Sequence, residues 1–558
     1  MASRDEAAEV ADSGPHAAPV SAAPANAAAT TGLIARTGLT TFDIVTIVTL
    51  TAFTAAMRLW RLDSVPLGLH GDEAWTGLDA RRILDEGWIG VYVDSALGQP
   101  TGPIYFAALL FTFLPETTFT VRFSMALLGI ATIPLAYLAF SRMFNRTVGV
   151  FGAVILAVMT WHLHLGRTGF MVISWPFMEV AVLLALWLAF KHRRPELFVL
   201  AGSLTGLGVY TYNAYLLFVP VAFVPVAWML FEQRNRTDRL RALYLAFAFA
   251  AVALLFALPL LRFMQEDSEL YERHQRVVGV THSEGWDDGS LADKADVLWD
   301  RAREWHNGLI LGDRPDQGDG MAEFGLPPVE PVIYFLALAG LGIAIWNIRR
   351  KEYAVCVAAV LILPWGALLT VNDGLFRRTL GLAPFLALLA AIPLAMLWDV
   401  LRERRRDVIG VAGMALVAAV PAYAGAQATY DYFGPAQDTF TMRVVYPYQL
   451  EAATEVMDDL PRDTYIYFYS DRWRLTYETV RFLAPDVVGE DRSREYGSAA
   501  DMPDSEVRYD IDREGRVAFV VMGDYLRDMD RIMRTHRGGR LIESTRDDEV
   551  LFRAYVLE

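Results

Sequence analysis

Two adjacent acids, Asp72 and Glu73, have the spacing that points most directly to chemistry, in the segment GLHGDEAWTG. Glycines flank the pair, and the residues that follow have the pattern of a helix, with Asp72 placed to act as its N-cap. A carboxylate held there could act as a general base that takes the proton from an attacking hydroxyl, with its neighbour as a helper. Capping of a helix at a membrane surface explains the same residues without chemistry, so the spacing leaves both interpretations open.

Other polar residues could bind a ligand near such a base. His70 precedes Asp72 by two positions and could orient it, although an interfacial ring is an equal alternative. Tyr212 and Asn213, in the segment TYNAY, could stack on a sugar and hydrogen bond to it, whereas the aromatic belt of membrane proteins explains them more simply. Glu179 lies within an apolar run, where acids are functional or paired with a cation such as Arg167 or with a histidine.

Metal and thiol chemistry are not favoured by the sequence. His162 and His164 form an H-x-H pair, but a spacing of two on a helix turns the rings about 200° apart. Cys356 is the single cysteine, so neither an internal disulfide nor a zinc site of thiolates can form. No cofactor is predicted, and a divalent metal ion stays possible without support from a ligand pattern.

The elements that must position these residues are membrane helices. Of the 558 residues 54% are hydrophobic and only 21% are charged, and the apolar residues form runs of roughly 17 to 25, the length that crosses a hydrocarbon core about 30 Å thick. We therefore predict a mainly α polytopic membrane protein with about 11–12 transmembrane helices. The candidate spans are 40–60, 119–140, 148–165, 172–190, 197–213, 214–231, 240–262, 329–348, 353–371, 379–400 and 408–428. A further apolar stretch, Gly102 to Leu114, is short for a crossing and could be re-entrant.

The orientation follows from the basic residues between the spans. They all fall on one side, taken as cytoplasmic, only if the Gly102–Leu114 stretch adds no full crossing. These clusters are Arg142/Arg146, Lys191/Arg193/Arg194, Arg234/Arg236/Arg239/Arg241, Arg349/Arg350/Lys351 and Arg402/Arg404/Arg405/Arg406. The opposite, extracytoplasmic side then receives the loops 61–101 and 263–328, the turn Asn372–Arg378 and the C-terminal segment from about 429.

Three regions of different composition follow along the chain. Residues 1–35, rich in Ala and Pro, predict a disordered tail. Residues 36–428 form the transmembrane domain, in which 263–328 is long enough for amphipathic helices against the membrane. Residues 429–558 predict a small α/β domain. Its expected strands are 464–470, 516–523 and 549–558, and its expected helices are 475–484 and 525–535.

Several segments together resemble a known family. They are a P-x-G-x-H-x-D-E-A motif after the first span, the stretch GQPTGPIYFAALL (98–110), an F-x-x-R-F-x-x-A-x-x-G span (119–129) and FRRTLGLAPFLALLAA (376–391). Their order and spacing resemble the GT-C membrane glycosyltransferases, in particular the protein O-mannosyltransferase and lipid A aminoarabinose transferase branch, of the family 39/83 type. The resemblance covers roughly residues 40–400.

The resemblance implies a GT-C-type helix bundle and an inverting glycosyltransferase. Such an enzyme moves a sugar from a polyprenyl-phosphate donor to an acceptor on the extracytoplasmic side of the plasma membrane. The family's first-loop Asp corresponds to Asp72, which is then the general base, and Glu73 becomes a positioning residue. His70, Tyr212 and Asn213 become candidates for substrate binding.

Stabilising the leaving phosphate needs cations, because its charge grows as the bond to the sugar breaks. Arg377, Arg378 and Arg167 are the candidates, with snorkelling at the interface as the alternative for each. Some relatives use a lysine where this chain has Gln99. The family's second acidic residue also has no match, since Thr168 to Trp175 contains no carboxylate.

Two other classes of function remain open at this point. A transporter or flippase of lipid-linked sugars would also be polytopic, but the spans lack the paired internal carboxylates and matching broken helices expected for a substrate that crosses at the midplane. A non-catalytic protein of cell-envelope polysaccharide assembly is the second alternative. The expected partners are the bilayer, the lipid-linked donor and a protein, lipid or glycan acceptor, and no nucleic acid.

Overall fold

Helices form most of the chain in the computed structural model, which describes residues 39–282, 286, 289–312, 326–370, 375–493 and 507–558. The predicted disordered tail, 1–35, lies outside these residues, as do 372–374 of the predicted outer turn. Two units divide the chain, Met1–Thr49 and Leu50–Glu558. In the first, the amide and hydroxyl of Thr40 donate to the Asp43 carboxylate at 2.8 and 2.7 Å, which fixes the start of the first helix.

The helices are numbered here in chain order. They are α1 Thr41–Leu59, α2 Gly71–Glu86, α3 Gly102–Phe111, α4 Thr118–Met143, α5 Arg146–Val158, α6 Thr160–Leu165, α7 Ser174–His192, α8 Pro195–Gly208, α9 Phe218–Glu232, α10 Arg236–Glu266, α11 Ser268–Val278, α12 Leu291–Leu311, α13 Pro331–Trp346, α14 Lys351–Ile362, α15 Trp365–Leu368, α16 Leu382–Glu403, α17 Val408–Phe433, α18 Phe440–Val445, α19 Tyr448–Asp459, α20 Glu478–Leu483 and α21 Met529–Thr535. The strands are β1 Tyr92–Val93, β2 Gln99–Pro100, β3 Tyr465–Tyr469, β4 Val488–Asp491, β5 Val517–Met522, β6 Arg540–Arg546 and β7 Glu549–Leu557.

Eight helical segments among the described residues are long and apolar enough to cross a membrane. They are Thr41–Leu59, Thr118–Met143, Met171–His192, Asn213–Glu232, Arg236–Glu266, Lys351–Leu368, Leu382–Glu403 and Val408–Asp438. Each coincides with a predicted span. The chain is therefore an integral membrane protein of the polytopic class.

The other three predicted spans are shorter helices. The runs 148–165, 197–213 and 329–348 contain α5, α8 and α13, of 13, 14 and 16 residues. At 1.5 Å per residue these helices reach about 20 to 24 Å, less than the roughly 30 Å of a hydrocarbon core. The first run is interrupted because Met159 leaves helical geometry (ψ 122°) and Thr160 donates to the Glu330 carboxylate instead.

Helix α3 settles the short stretch Gly102–Leu114. It has ten residues, about 15 Å of helix, and the chain after it returns to the elements that precede it. Glu116, beyond the helix, forms an ion pair with Arg81, before the helix, at 2.6 Å. The short stretch therefore adds no crossing.

The C-terminal segment forms the predicted α/β structure. Its five-stranded sheet has the order β4-β3-β5-β7-β6, in which β4, β3 and β5 are parallel and β7 is antiparallel to both its neighbours. The central strand β5 is buried along its whole length, as its unbroken apolar sequence VAFVVM predicts. The three predicted strands are confirmed, and β4 and β6 were not predicted. The two predicted helices correspond to α20 and to a 3₁₀ turn continued by α21.

The C-terminal segment packs directly on helix α2 of the first loop. The hydroxyl of Thr479 donates to the Leu69 carbonyl at 2.8 Å, and Phe482 lies where a side chain on Gly77 would project. Gly68 has φ +74°, and a Cβ there would lie 2.4 Å from the Tyr448 amide nitrogen. The turn that leads into α2 can approach the C-terminal segment only because residue 68 has no side chain.

Gly68→Ala is expected to destabilise the protein, because it adds a left-handed backbone penalty of about 1 to 3 kcal/mol to a clash with backbone atoms. Thermal unfolding in detergent measures the effect. Gly342→Ala is the matched control, since Gly342 lies within a helix with nothing within 4 Å of its added Cβ. The control should be neutral or slightly stabilising, and equal losses in both variants would contradict the proposed contact.

Candidate active site

The residue that caps the start of α2 differs from the prediction. His70, and not Asp72, is the N-cap: its Nδ1 accepts from the Asp72 amide at 2.9 Å, while Glu73 Oε2 accepts from the His70 amide at 3.0 Å. This reciprocal capping box satisfies the first amides of the helix. Because an imidazole does the capping, the Asp72 carboxylate is not used for it and can face outward from the second helical position.

Asp72 lines a cavity of about 450 Å³. Of the residues predicted from sequence, Asp72, Arg377, Arg378, Tyr212 and Asn213 all line this cavity. They come from the loop 61–101, the turn before α9 and the turn before α16. The structure therefore brings together five of the eight predicted site residues.

The carboxylate of Asp72 forms an ion pair with Arg377, whose Nη1 donates to Asp72 Oδ2 at 2.5 Å. Arg377 also lies over the Phe170 ring, 4.6 Å from its centroid. The Asp72 side chain is 40% exposed, and because Asp72 lines the cavity, this exposed part faces the cavity. Burial raises the pKa of Asp72, but the positive charge of Arg377 and the hydrogen bond that it donates outweigh burial and hold that pKa below its usual value.

Helix α11 supplies a wall of the cavity that the sequence predicted only in general terms. Amphipathic helices were expected somewhere in 263–328, and α11 places Tyr271, His274, Gln275 and Val278 on the cavity. Their spacing of three, four and seven residues is that of one helix face. The sequence SELYERHQRVV has the periodicity of an amphipathic helix, but this periodicity does not indicate which ligand the helix face would bind. Burial, with Arg378 nearby, lowers the pKa of His274 to about 4, so its ring is neutral at neutral pH.

A small hairpin of β1 and β2 forms another wall. Gln99, which stands where some relatives have lysine, lines the cavity and donates to Ser95 Oγ at 2.9 Å. Asn213 reaches the same hairpin, with its Nδ2 at 3.3 Å from the Gly98 carbonyl. This wall is polar and uncharged.

Glu73 lies away from the cavity. Its two carboxylate oxygens accept from Nε and Nη2 of Arg122 at 3.0 and 3.1 Å, and Oε1 also accepts from the Gly169 amide at 2.6 Å. Both side chains of the ion pair have no exposed surface. Arg122 donates further to the carbonyls of Leu62, Pro66 and Gly68. The arrangement is that of a positioning residue, because Glu73 joins α2 to α4 and to the loop before α7.

Arg167 also lies away from the cavity. Its guanidinium donates to the carbonyl oxygens of residues 57, 58, 60, 61 and 65, at distances of 2.7 to 3.3 Å. The first of these carbonyls belong to the last turn of α1, which lacks intrahelical partners and favours a cation. Its observed contacts thus tie α1 to the first loop.

The remaining polar residues of the sequence analysis are distributed behind the site. His70 contacts Phe170 and Tyr446 edge to face and does not line the cavity. His162 bonds to Arg58, whereas His164 lies between Tyr432 and Tyr446. Glu179 is buried next to Trp175 and Gly381. Among the described residues, no three His, Cys, Asp or Glu side chains are grouped as a metal site.

Fold and site together define a class: a polytopic membrane protein with a cavity that is lined by a carboxylate–arginine pair and by residues near the ends of its spans. Comparison with known families agrees with this class. Residues 98–263 match the model of the dolichyl-phosphate-mannose-protein mannosyltransferase family. A search of curated protein sequences found no match.

Solved structures identify the fold. ArnT from Cupriavidus metallidurans bound to undecaprenyl phosphate is 13% identical, with a TM-score of 0.53 over 91% of this chain and 97% of that one. The apo state of ArnT is 12% identical, with a TM-score of 0.50 over 95% and 98%. The oligosaccharyltransferase AglB from Archaeoglobus fulgidus, in complex with an inhibitory peptide and a dolichol-phosphate, is 16% identical, with a TM-score of 0.50 over 80% of this chain. This chain spans only 64% of the length of AglB.

The chain therefore has the fold of the GT-C membrane glycosyltransferases, which confirms the resemblance indicated by its sequence motifs.

Proposed function

We propose that the chain is an inverting glycosyltransferase that moves a sugar from a polyprenyl-phosphate donor to an acceptor on the extracytoplasmic side of the plasma membrane. The observation that carries this proposal is the pairing of Asp72 with Arg377 in the wall of a cavity of about 450 Å³. A base and a phosphate-binding cation are the two groups that such a transfer needs, and here they are neighbours.

In the proposed reaction, an acceptor hydroxyl attacks the anomeric carbon while Asp72 takes its proton. The bond between that carbon and the phosphate oxygen breaks on the opposite face of the sugar, which inverts the configuration. The departing phosphate gains charge and is stabilised by Arg377 and Arg378, both of which line the cavity. No further group is required, because the lipid phosphate is itself a good leaving group.

The other cavity walls suit the rest of the donor. Tyr212 offers an aromatic face, and Asn213, Gln275 and His274 offer uncharged hydrogen-bonding groups to sugar hydroxyls. Leu216, Leu217, Trp365 and Leu369 supply an apolar side where the lipid carrier could begin. The sugar, the carrier length and the acceptor are not specified by these contacts.

The distribution of basic residues supports the extracytoplasmic side. The cavity is lined by residues of the loops 61–101 and 263–328 and of the turns near 170, 213 and 377. The positive-inside rule assigns every one of these segments to the side away from the basic clusters. Because α3 does not carry the chain across, the assignment is the same for residues before and after it.

Arg377 also couples donor binding to the strength of the base. In this structure Arg377 pairs with Asp72 and favours the ionised, weakly basic carboxylate. A donor phosphate competes for the same guanidinium, so the carboxylate gains basicity when the donor arrives. Asp72 would then be a stronger base when a donor phosphate is bound to Arg377 than when Arg377 pairs with Asp72.

The pH dependence of kcat/KM, which reports the free enzyme, tests this coupling. Asp72 must be ionised to act, and its pKa lies below the usual value, so kcat/KM should fall only in the acid range, as pH drops through that lowered pKa. Arg377→Gln removes the stabilising cation and should move the acid limb to higher pH, whatever it does to the maximum rate. Arg378→Gln removes a cation that also lines the cavity but should leave the limb in place; equal shifts in both variants would refute the specific pairing.

The function itself is tested by mass spectrometry of lipid-linked sugars and glycans in cells with and without the gene. A polyprenyl-phosphate sugar should accumulate and one glycosylated product should disappear. The purified chain in vesicles should then transfer that sugar to the product's precursor. Movement of the lipid-linked sugar across the vesicle membrane without any transfer would instead identify a flippase.

A further inference from the structure

A second polar cavity lies at the opposite end of the helix bundle from the candidate active site. It has a volume of about 140 Å³ and is lined by the ends of α7 and α9, the first turns of α8 and α10 and the start of α14. Helix α9 connects the two regions, because the turn before it lines the active-site cavity and Met229 and Glu232 at its far end line the small one. Fifteen residues of helix separate the two sites by about 22 Å.

The charges around this small cavity do not cancel. Arg193, Arg241 and Lys351 face two acids, Glu232 and Asp238. Lys351 already pairs with Glu232, with its Nζ at 3.0 Å from both carboxylate oxygens. Asp238 accepts from the Asn235 side-chain amide at 2.6 Å, in the N-cap of α10. Within the described chain, neither Arg193 nor Arg241 has a carboxylate within 4.0 Å.

The two arginines are also held close to each other. Arg193 ends α7 in the left-handed conformation, with φ 53°, and Nη2 of Arg241 donates to its carbonyl at 3.4 Å. Two cationic side chains that line one small cavity repel each other, and a bound anion would offset that repulsion. A phosphate group is the anion whose oxygens match the fork of an arginine.

The cavity also has apolar lining, which selects among phosphate-bearing molecules. Phe190, Phe198, Met229 and Leu245 line it together with the charged groups. The cavity therefore combines cations with carbon surface near the ends of several helices. Basic pockets of this kind between membrane helices suit lipid head groups.

We propose that this cavity binds a phosphate-bearing anion through Arg193 and Arg241, and that the anion is the head group of an anionic phospholipid. The site is separate from the candidate active site and does not depend on the proposed glycosyltransferase activity. Its ligand would anchor the ends of α7, α9 and α10 to the membrane surface.

Native mass spectrometry of the full-length chain in detergent, titrated with phosphatidylglycerol or phosphatidylcholine, tests the proposal. The wild type should retain one phosphatidylglycerol in preference to phosphatidylcholine. Arg193→Gln together with Arg241→Gln should weaken phosphatidylglycerol binding by about thirtyfold. Arg234→Gln together with Arg239→Gln is the matched control, since it removes the same charge from nearby exposed positions that do not line the cavity.

Each outcome decides the proposal. Equal losses in the two double variants, or equal binding of the two lipids, would overturn it. If inorganic phosphate displaces the lipid and is itself bound with the same dependence on Arg193 and Arg241, phosphate recognition stands and the assignment to a lipid is overturned. Arg241→Lys keeps the charge but loses the guanidinium fork, so it should bind more weakly than the wild type and more tightly than Arg241→Gln, a graded result that a misfolded protein would not give.

Discussion

Asp72→Asn should lower the rate of sugar transfer by about a hundredfold to ten-thousandfold, the range expected for loss of a general base. The asparagine has the same shape but cannot accept the proton of the attacking hydroxyl. Folding should be weakened only slightly, because the side chain of His70 caps α2 and the ion pair that Asp72 loses with Arg377 is partly exposed, which limits its contribution to about 1 kcal/mol. Loss of the favourable interaction with the helix N-terminus accounts for about 1 kcal/mol at most.

Single-turnover transfer by purified protein in detergent or vesicles is the measurement, with thermal unfolding alongside. Asp85→Asn is the control, an exposed carboxylate near the other end of the same helix, and should transfer at the wild-type rate. Full activity in a folded Asp72→Asn protein would show that Asp72 is not the general base. The cavity that Asp72 lines would then no longer support the proposed function.

Glu73→Gln should have the opposite profile, with a large loss of stability. The substitution leaves the Arg122 guanidinium buried without its carboxylate, and breaking a buried ion pair in this way costs about 3 to 5 kcal/mol. The destabilised variant should fold poorly, and any activity it retains should follow the folded fraction. A catalytic role for Glu73 would instead give a stable protein with a low rate.

A double-mutant cycle measures the interaction energy between Glu73 and Arg122 separately from their other contacts. Glu73→Gln combined with Arg122→Met removes both charges, so the double variant should lose much less than the sum of the two single variants. The control is Glu86→Gln, because Glu86 pairs with Arg82 at the surface, where both side chains are about half exposed. This pair should contribute less than about 1 kcal/mol. Additive losses at Glu73 and Arg122 would mean that the buried pair is not coupled.

Much of the architecture was predictable because it depends on short stretches of the sequence. A run of about twenty apolar residues must be a membrane helix wherever the rest of the chain goes, and eight such helices were confirmed. The strands of the C-terminal sheet were predictable for the same reason, since VAFVVM can only be a buried strand or a short piece of buried helix. The lengths of α5, α8 and α13 were overestimated, and for α5 the reason is a tertiary contact, since Thr160 donates to the Glu330 carboxylate just beyond the end of the helix.

The candidate site was predictable only in part. The D-E motif predicted a site in this turn, but its two carboxylates have different environments, one lining a cavity and one in a buried ion pair. Spacing along the chain cannot separate them, because adjacent residues on a helix point about 100° apart and either could have faced the ligand. His274 and Gln275 lie in a segment with helical periodicity. Such a pattern predicts that one face of the helix is buried, but it does not identify what packs against that face.

The sequence by itself determined that this protein spans the membrane many times, that residues 429–558 contain a small sheet and that an acidic turn follows the first span. Length, period and residue type are local properties, and these features depend on nothing else. Only the tertiary structure decided that Asp72 meets Arg377, 305 positions away, while Arg167 turns to the carbonyls of α1. An arginine pays the same cost of leaving water in either place, so packing alone selects whether its partner is a main-chain oxygen, a buried acid or the wall of a cavity.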